Sequence, residues 1–247
     1  MHARTFQMLN ISAAQKCSIR IKNLKMNKSA FGRNAMEWSV GEKTIVMTTD
    51  NSGGIGEKQL DEVNAPYEVV AYYAFRTAVM DCFSAGAIPI SVVLHNFCGE
   101  AAWGKLHAGV RQGLAEIGVD TDVTGSTESN MALQQSAVAV TVLGERVRDF
   151  SEVSGPIEWT LAGMPLVGIE VVEKAAEIAP LSLARSYIDD PSVAVIWPVG
   201  SKGIAAEWSR MCEQIGVEDP MPDFGVDINK SAGPAACWIV GRRSAVE

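Results

Sequence analysis

The sequence predicts a mixed fold of α+β class, with α/β layers arranged in two lobes. Strand-like and helix-like segments alternate along both halves of the chain, as they do in layered architectures of sheets and helices. Residues 137–144 (AVAVTVLG) are apolar almost throughout, which indicates a strand buried on both faces. Residues 146–156 are polar and charged and end in Gly155-Pro156, so we place the boundary between the lobes there.

The first half is predicted to run in the order strand, helix, strand, helix. Residues 44–49 (TIVMTT) predict a strand because β-branched residues dominate. Pro66 suits the first position of a helix, in which apolar residues recur at helical spacing up to Gly86. Residues 90–94 (ISVVL) predict the next strand, and residues 101–117 predict a second helix.

The second half repeats this alternation after the boundary. Its predicted elements are a strand near 158–162, a helix near 167–177, a strand near 193–197, a glycine turn at 200–203, a helix to about 215 and a strand at 235–240. We therefore predict three regions: an N-terminal arm or loosely docked segment at 1–40, an N-terminal domain at 41–148 and a C-terminal domain at 149–247.

Composition argues against several classes of protein. The formal net charge is -8 and no block of lysine or arginine stands out, so we expect neither a nucleic-acid surface nor a membrane partner. The apolar runs are too short to span a bilayer, and the N-terminal segment lacks the apolar core of a secretory signal. Five cysteines without a C-x-x-C pair predict reduced thiols in a cytoplasmic protein. Three histidines without ligand spacing argue against zinc, so any metal should be a hard cation held by oxygen atoms.

Residues 48–56 (TTDNSGGIG) form the first candidate site. A β-branched run ends at Asp50 and glycines follow at once, so a strand would deliver a carboxylate to a cation while backbone N–H groups face phosphate oxygens. Asp50 is the candidate magnesium ligand. The candidate phosphate cradle comprises Asn51, Ser52, Gly53, Gly54 and Gly56. The alternative, which this segment alone leaves open, is a turn in which Asp50 accepts hydrogen bonds from local N–H groups.

Two later segments repeat the combination of small residues and an acid. Asp81 lies in a helix that is apolar around most of its girth, so it must be exposed, paired or bound to a metal. Residues 124–130 (TGSTESN) place hydroxyls around Glu128 before the buried strand. The candidate phosphate contacts there are Thr124, Gly125, Ser126 and Thr127, and the further candidate magnesium ligands are Asp81 and Glu128. The alternatives are a solvent-facing aspartate near a helix end and an ordinary polar loop, which local sequence favours for residues 124–130.

Two loops of the second half offer charged and hydroxyl groups. Residues 198–204 (PVGSKGI) place a serine and a lysine at a helix N-terminus, which is a natural anion site. Residues 227–234 (DINKSAGP) supply an acid, a base and a hydroxyl before the last strand. The candidate residues of the two loops are Ser201, Lys202, Asp227, Lys230 and Ser231. A capped helix start and a solvated turn are the alternatives, and neither loop contains a Walker A string.

The order of these motifs resembles the AIR synthase (PurM-like) superfamily, which includes thiamine-monophosphate kinase, selenophosphate synthetase and the hydrogenase maturation dehydratase. TTDNSGGIG, MDCFSAGAIP and TGSTESN resemble motifs of its N-terminal lobe, and PVGSKGI and DINKSAGPAACWIVG resemble motifs of its second lobe. The first, third, fourth and fifth are similar to motifs of the cobalamin-salvage branch, the alpha-ribazole kinases. The motifs cover roughly residues 44–240.

The resemblance implies an ATP- and magnesium-dependent enzyme of PurM-like two-lobe architecture. The N-terminal sheets of two subunits would pair into a β-barrel across a homodimer, and a C-terminal α/β lobe would close over a small-molecule substrate. Asp50 and Asp81 would hold magnesium with Glu128, because the aspartate usual in the family is Ser126 here. The candidate catalytic residues are Asp227 for hydroxyl activation, with Lys202 and Lys230, and Ser201 and Ser231 would contact the nucleotide or acceptor.

The leading hypothesis is therefore ATP-dependent phosphoryl transfer to a hydroxyl of alpha-ribazole, with catalysis by positioning and charge neutralisation. Two alternatives stay open. One is thiamine-monophosphate kinase or another ATP-dependent enzyme of the superfamily. The other is a non-catalytic nucleotide-binding regulatory protein, which Ser126 in place of an aspartate favours.

Overall fold

The computed structural model describes residues 26–150, 153 and 155–244. Residues 1–25, the larger part of the predicted arm, lie outside the described residues. The strands are β1 (Asn27–Lys28), β2 (Met36–Val40), β3 (Lys43–Gly53), β4 (Ile55–Gly56), β5 (Val63–Asn64), β6 (Ala87–Asn96), β7 (Val123–Thr127), β8 (Ala137–Arg146), β9 (Ile157–Ala162), β10 (Val193–Pro198) and β11 (Trp238–Arg243). The helices are α1 (Tyr67–Ser84), α2 (Trp103–Glu116), α3 (Glu170–Glu173), α4 (Leu181–Asp189) and α5 (Gly203–Ile215).

Two main sheets and their helices confirm the predicted fold class. The first lobe has a six-stranded sheet in the order β1-β2-β3-β8-β6-β7, and the second has a three-stranded sheet in the order β10-β11-β9. Neighbouring strands of the larger sheet pair antiparallel, apart from the parallel pair β6 and β7. Strand β3 is longer than predicted because it pairs with β8 as far as Gly53, with Asp50 opposite Val140.

The larger sheet has one covered face and one open face. Val140 and Val142 of β8 are buried, and Thr48, which lies opposite Val142, donates a hydrogen bond to the carbonyl oxygen of Ala78 in α1 at 2.7 Å. This face therefore packs on α1. The alternate residues Ala139 and Leu143 are only partly buried and lie on the other face.

Helix α1 lies between the two lobes. Its residues from Ala74 to Ser84 are all buried, and the Ser84 hydroxyl donates a hydrogen bond to the carbonyl oxygen of Ile196 in β10. Because α1 contacts a sheet on each of two sides, apolar residues occupy most of the helix circumference. It also explains why Asp81, on this helix, is only 1% exposed.

Four predicted segments differ from the structure. Residues 36–40, predicted within an arm or loosely docked segment, belong to the sheet because β2 pairs with β3. The helix predicted near 167–177 is reduced to α3 and a 3₁₀ turn (Ala175–Glu177), and α4 was not predicted. Residues 123–127 form strand β7 where the sequence predicted a loop. The last strand begins three residues later than predicted, since Ala235 has a positive φ of 52° that does not fit a strand. Within the described residues, no helix has the length and hydropathy to cross a membrane.

Candidate functional site

A cavity of about 830 Å³ lies between the two lobes. Strand β3 and helix α1 form one wall. The opposite wall comes from the start of α5, the loop before β11 and the segment around α3. The polar residues of its lining are Arg33, Asn34, Asp50, Asn51, Ser52, Tyr73, Thr77, Ser201, Lys202, Glu207 and Arg210. The cavity thus brings together residues of three predicted motifs, 50–53, 200–202 and 233–234.

Asp50 supplies a carboxylate to the first wall. Burial raises the pKa of this carboxyl to about 6, and the nearby Asp81 adds to the rise, whereas hydrogen bonding to the Asn51 backbone and the charge of Arg33 oppose it. Gly53, three residues on, has no atom within 4 Å of the place where a Cβ would stand, so the backbone there borders open space. This end of β3 is therefore accessible to a ligand.

The N-terminus of α5 forms the facing wall. Gly200, Ser201 and Lys202 line the cavity immediately before the helix, and Ser201 and Lys202 are exposed. The helix has thirteen residues, so its dipole gives positive potential at this end. The N–H groups of Gly203 and Ala205 already donate to the carbonyl oxygens of Gly200 and Ile228. Together with the lysine, this wall is suited to bind an anion.

Arg33 links the two walls through ion pairs that the sequence did not reveal. Its Nε donates to Asp81 Oδ1 at 3.1 Å and its Nη1 donates to Glu207 Oε1 at 2.9 Å. Burial raises the pKa of Asp81 to about 6, against the opposing charge and hydrogen bond of Arg33. Arg33 and Glu207 are 174 positions apart. No local pattern of small residues or acids marks either of them, so only the tertiary structure identifies the contact.

The rest of the cavity is apolar. Val69, Val70 and Ala74 of α1 line it from the first lobe, and the segment around α3 lines it from the second. On that segment Val167 and Ile169 are 41% and 51% exposed. Tyr73 borders this end, but its hydroxyl donates to the carbonyl oxygen of Val171 at 2.8 Å, so that polar group is already engaged. The cavity has a charged end and an apolar end.

The residues predicted in the last loop lie beside the cavity lining. Lys230 Nζ is 2.9 Å from Glu170 Oε1, so it ties this loop to α3. The Asp227 carboxylate accepts a hydrogen bond from the backbone N–H of Asn229 at 2.9 Å, and Ser231 Oγ accepts one from Gly233 at 3.4 Å. Of this loop, the cavity is lined by Gly233, Pro234 and Ala235.

The segment 124–130 lies away from this cavity. It contributes no residue to the lining, because β7 is the outer strand of the large sheet. A Cβ on Gly125 would stand 1.8 Å from the carbonyl oxygen of Leu94, so this glycine permits close pairing with β6. Thr127 accepts a hydrogen bond from Asn96 at 3.0 Å, and the Glu128 carboxylate accepts bonds from the N–H groups of the two residues Asn130 and Met131. Ser126 and Thr124 are exposed.

The remaining glycines of the first motif have structural partners. The N–H of Gly54 donates to the carbonyl oxygen of Ser136 at 2.8 Å. Its φ of 69° favours glycine, and the turn there ends β3. A Cβ on Gly56 would stand 2.4 Å from Ser136 Oγ. Gly54 and Gly56 therefore shape the turn beside the cavity, whereas Gly53 lines it.

The three predicted magnesium ligands lie in three different environments. Asp50 borders the cavity, Asp81 is paired with Arg33, and Glu128 lies on the segment after β7. Among the described residues no group of three or more His, Cys, Asp or Glu side chains could hold a metal ion. The predicted set of three carboxylates therefore does not fit one ion in this arrangement.

Comparison with known proteins supports the family expected from the motifs. Residues 32–146 match the sequence model of a family described as AIR synthase related protein, N-terminal domain. This range contains β2, β3, α1, β6, α2, β7 and β8. No curated protein matches the chain.

Solved structures show the same fold. AaThiL complexed with AMPPCP and TMP superposes with a TM-score of 0.61 at 13% identity, covering 90% of this chain and 82% of that one. Thiamine monophosphate kinase from Aquifex aeolicus gives 0.57 at 13% identity, with 84% and 82% covered. Hydrogenase maturation protein HypE in complex with ATP gives 0.53 at 12% identity, with 80% and 69% covered. The PurM-like fold is thereby confirmed, and the β-barrel across a dimer stays a prediction.

Proposed function

We propose that this protein is an ATP-dependent kinase that transfers the γ-phosphoryl group of ATP to a hydroxyl of a small molecule, with alpha-ribazole as the acceptor. The observation that carries the proposal is the charged end of the cavity, which is lined by Asp50, the open backbone at Gly53, Ser201 and Lys202. The lysine and the helix N-terminus attract phosphate oxygens, and the carboxylate would hold the magnesium ion that accompanies a nucleotide. The nucleotide analogues bound by structures of the same fold support the choice of ATP.

The proposed roles follow from position in the cavity. Lys202 binds phosphate oxygens at the positive end of the α5 dipole, with Ser201 as a further donor. The backbone at Asn51, Ser52 and Gly53 approaches the nucleotide from the other wall. ATP would bind as its magnesium complex, the ion would neutralise phosphate charge, and Asp50 would be a carboxylate of the cavity lining that could hold the ion.

In the proposed reaction the protein forms no covalent bond with either substrate. A bond forms between the acceptor oxygen and the γ-phosphorus while the bond from that phosphorus to ADP breaks, and the hydroxyl proton passes to water. Rate enhancement then comes from holding the two substrates in line and from positive charge around the phosphates. Lys230 contributes indirectly in this proposal, since its ion pair with Glu170 holds the α3 segment over the cavity. Asp227 keeps its predicted role only if the loop moves toward the substrate.

The apolar end supports the choice of acceptor. Val69, Val70, Val167 and Ile169 offer carbon surface, and the Tyr73 hydroxyl there is already bonded to the backbone. Such a surface suits the apolar base of a nucleoside such as alpha-ribazole. It is a poor match for the positively charged ring of thiamine monophosphate, because burying a charge without a partner is costly.

We also propose that the protein is a cytoplasmic homodimer formed through the open face of the large sheet. Ala139 and Leu143 of β8 lie on that face and are only partly buried within one chain. Pairing two such faces would cover apolar surface on the face of the sheet opposite α1. Sedimentation at several protein concentrations tests this assembly.

The direct test of the function is transfer of label from [γ-³²P]ATP to a panel of acceptors in the presence of magnesium. We expect labelled alpha-ribazole phosphate from the wild-type protein and no labelled product from thiamine monophosphate. Lys202→Ala should lower the transfer rate by roughly tenfold through loss of a phosphate contact. Asp122→Asn, an exposed change just before β7, should leave the rate unchanged.

Three outcomes separate the hypotheses. Turnover of thiamine monophosphate without turnover of alpha-ribazole would overturn the acceptor and keep the kinase. Tight binding of ATP with no product from any acceptor would favour a regulatory nucleotide-binding protein. Failure to bind ATP would overturn the proposal as a whole.

A further inference from the structure

A buried arginine connects the lobes at the charged end of the cavity. Arg33 lies in the loop between β1 and β2, Asp81 lies on α1 and Glu207 lies on α5. The side chains of Arg33, Asp81 and Glu207 are 10%, 1% and 8% exposed. The Arg33 guanidinium therefore pairs with one carboxylate from each lobe, and all three groups are almost fully shielded from water.

The charges of Asp81 and Glu207 are balanced without a metal ion, and Asp50 lies beside them as a third carboxylate. Arg210 Nη1 lies 4.0 Å from Glu207 Oε2, so two carboxylates face two guanidinium groups. Trp197 adds a neutral hydrogen bond, donated by Nε1 to Glu207 Oε2 at 3.0 Å. Buried carboxylates must be paired or bound to a metal because desolvation is costly. Here arginine already meets that requirement, and a divalent ion placed at Asp81 would meet the positive charge of Arg33.

The surrounding chain is shaped to admit the guanidinium. A Cβ on Gly200 would stand 2.3 Å from Arg33 Nη1 and 3.1 Å from Glu207 Oε1, so a larger residue would displace the ion pair. Arg33 has a φ of 41°, which is uncommon for a residue with a side chain. Its carbonyl oxygen accepts a hydrogen bond from Arg210 Nη2 at 2.9 Å. Backbone and neighbours on both lobes fix this arginine.

We propose that Arg33 is a resident cation that takes the place of a metal ion at Asp81. In this arrangement Asp81 and Glu207 bind no divalent cation, and Arg33 is a positioning residue that sets α1 against α5 at the charged end of the cavity. The inference refines the magnesium set that the motifs predicted. It rests on the proposed function only for the statement that nucleotide phosphates lie near this cluster.

The test is a titration of the full chain with Mn²⁺ alone, followed by the electron paramagnetic resonance signal of the free ion. We expect Asp81→Asn to bind Mn²⁺ within twofold of the wild type, because Asp81 is not a ligand. Arg33→Met should gain a Mn²⁺ site at least tenfold tighter than any in the wild type, because two buried carboxylates lose their shared cation. Arg146→Met serves as the matched control, since it removes the arginine paired with Glu37 elsewhere in the first lobe and should gain no such site.

Two results would overturn the inference. One is a loss of Mn²⁺ affinity of tenfold or more in Asp81→Asn, and the other is a folded Arg33→Met protein that gains no new Mn²⁺ site. If Arg33→Met does not fold, as circular dichroism would show, the comparison of Asp81→Asn and Glu207→Gln with the wild type decides alone. No nucleotide or acceptor is present in the titration. A protein that lacks kinase activity therefore still gives a readable answer, and the failure of one proposal is distinguishable from the failure of the other.

Discussion

The segments 50–56 and 124–130 share a sequence pattern but differ in what surrounds them. Each combines an acid, hydroxyls and glycine next to a strand of the same sheet. Gly53 of the first borders open cavity space, with no atom within 4 Å of a Cβ position. Gly125 of the second would place a Cβ 1.8 Å from the carbonyl oxygen of Leu94. One glycine leaves room for a ligand, and the other lets two strands pair closely.

This difference separates two physical reasons for glycine near an acid. Close approach of a ligand and close approach of a neighbouring backbone both exclude a side chain. The sequence alone does not distinguish them, because both produce the same string of small residues. The distance from the glycine to its nearest neighbour in the fold does distinguish them. The following variants test that distinction, from the largest expected effect to the smallest.

Asp50→Asn should lower kcat/KM for phosphoryl transfer by about 10²–10³-fold, because it removes the carboxylate that would hold the magnesium ion of the ATP complex. The free energy of unfolding at pH 7 should stay near the wild-type value or rise slightly, since a partly buried charge is removed. Steady-state kinetics and urea unfolding measure the two effects. Activity within threefold of the wild type would show that the first segment is not part of the site.

Gly125→Ala should destabilise the fold by about 2–3 kcal/mol, because the new methyl group collides with a backbone oxygen that cannot move freely. Urea unfolding measures the loss, and Gly104→Ala is the matched control because no atom lies within 4 Å of a Cβ there. The affinity of the folded variant for AMPPCP should remain that of the wild type. Weaker nucleotide binding by folded Gly125→Ala would place the second segment in the site after all.

Gly53→Val should weaken AMPPCP binding by roughly tenfold, since the valine side chain would enter the cavity. Unlike Gly125→Ala, it should affect ligand binding more than stability. The free energy of unfolding should change by no more than about 0.5 kcal/mol, because the residue is exposed and valine suits a strand. Calorimetry of binding and urea unfolding check both values. Ser39→Val, at an exposed strand position of β2, is the control for adding a β-branched side chain away from the cavity.

The smallest effect concerns pH. Because the folded state raises the pKa of Asp50 from 3.8 to about 6, it binds this proton more tightly than the unfolded chain does. The stability from this group is fully present below pH 3.8 and is lost as pH rises through about 6. Between pH 5 and 7.5, in metal-free buffer, the wild type should lose about 1 kcal/mol of stability relative to Asp50→Asn. Parallel pH profiles of the two proteins would contradict this pKa.

Much of the fold followed from local sequence patterns. Local signals, namely alternation, β-branching and glycine boundaries, predicted the strands that contain Asp50 and Val140. They also predicted the helix that begins just after Lys202. Helix α4 was missed because nine residues give a short pattern, and β7 because its exposed hydroxyls resemble a loop. An edge strand needs few apolar residues, so periodicity does not mark it.

The candidate site was predictable in part. The sequence pointed to Asp50, Gly53 and Lys202, which the fold brings to one cavity. It did not point to Arg33 or Glu207, because their contact joins distant parts of the chain. Asp81 was recognised as a carboxylate in apolar surroundings that needs a partner. Only the structure shows that the partner is a guanidinium.

The central claim is that nucleotide binds in the cavity between the lobes and not at the outer strand of the sheet. Hydrogen exchange with and without AMPPCP and magnesium tests it directly. We expect slower exchange in peptides covering residues 49–54 and 200–205, and unchanged exchange in peptides covering residues 123–131. Protection of 123–131 without protection of 49–54 and 200–205 would contradict the account and move the site to the open side of the sheet.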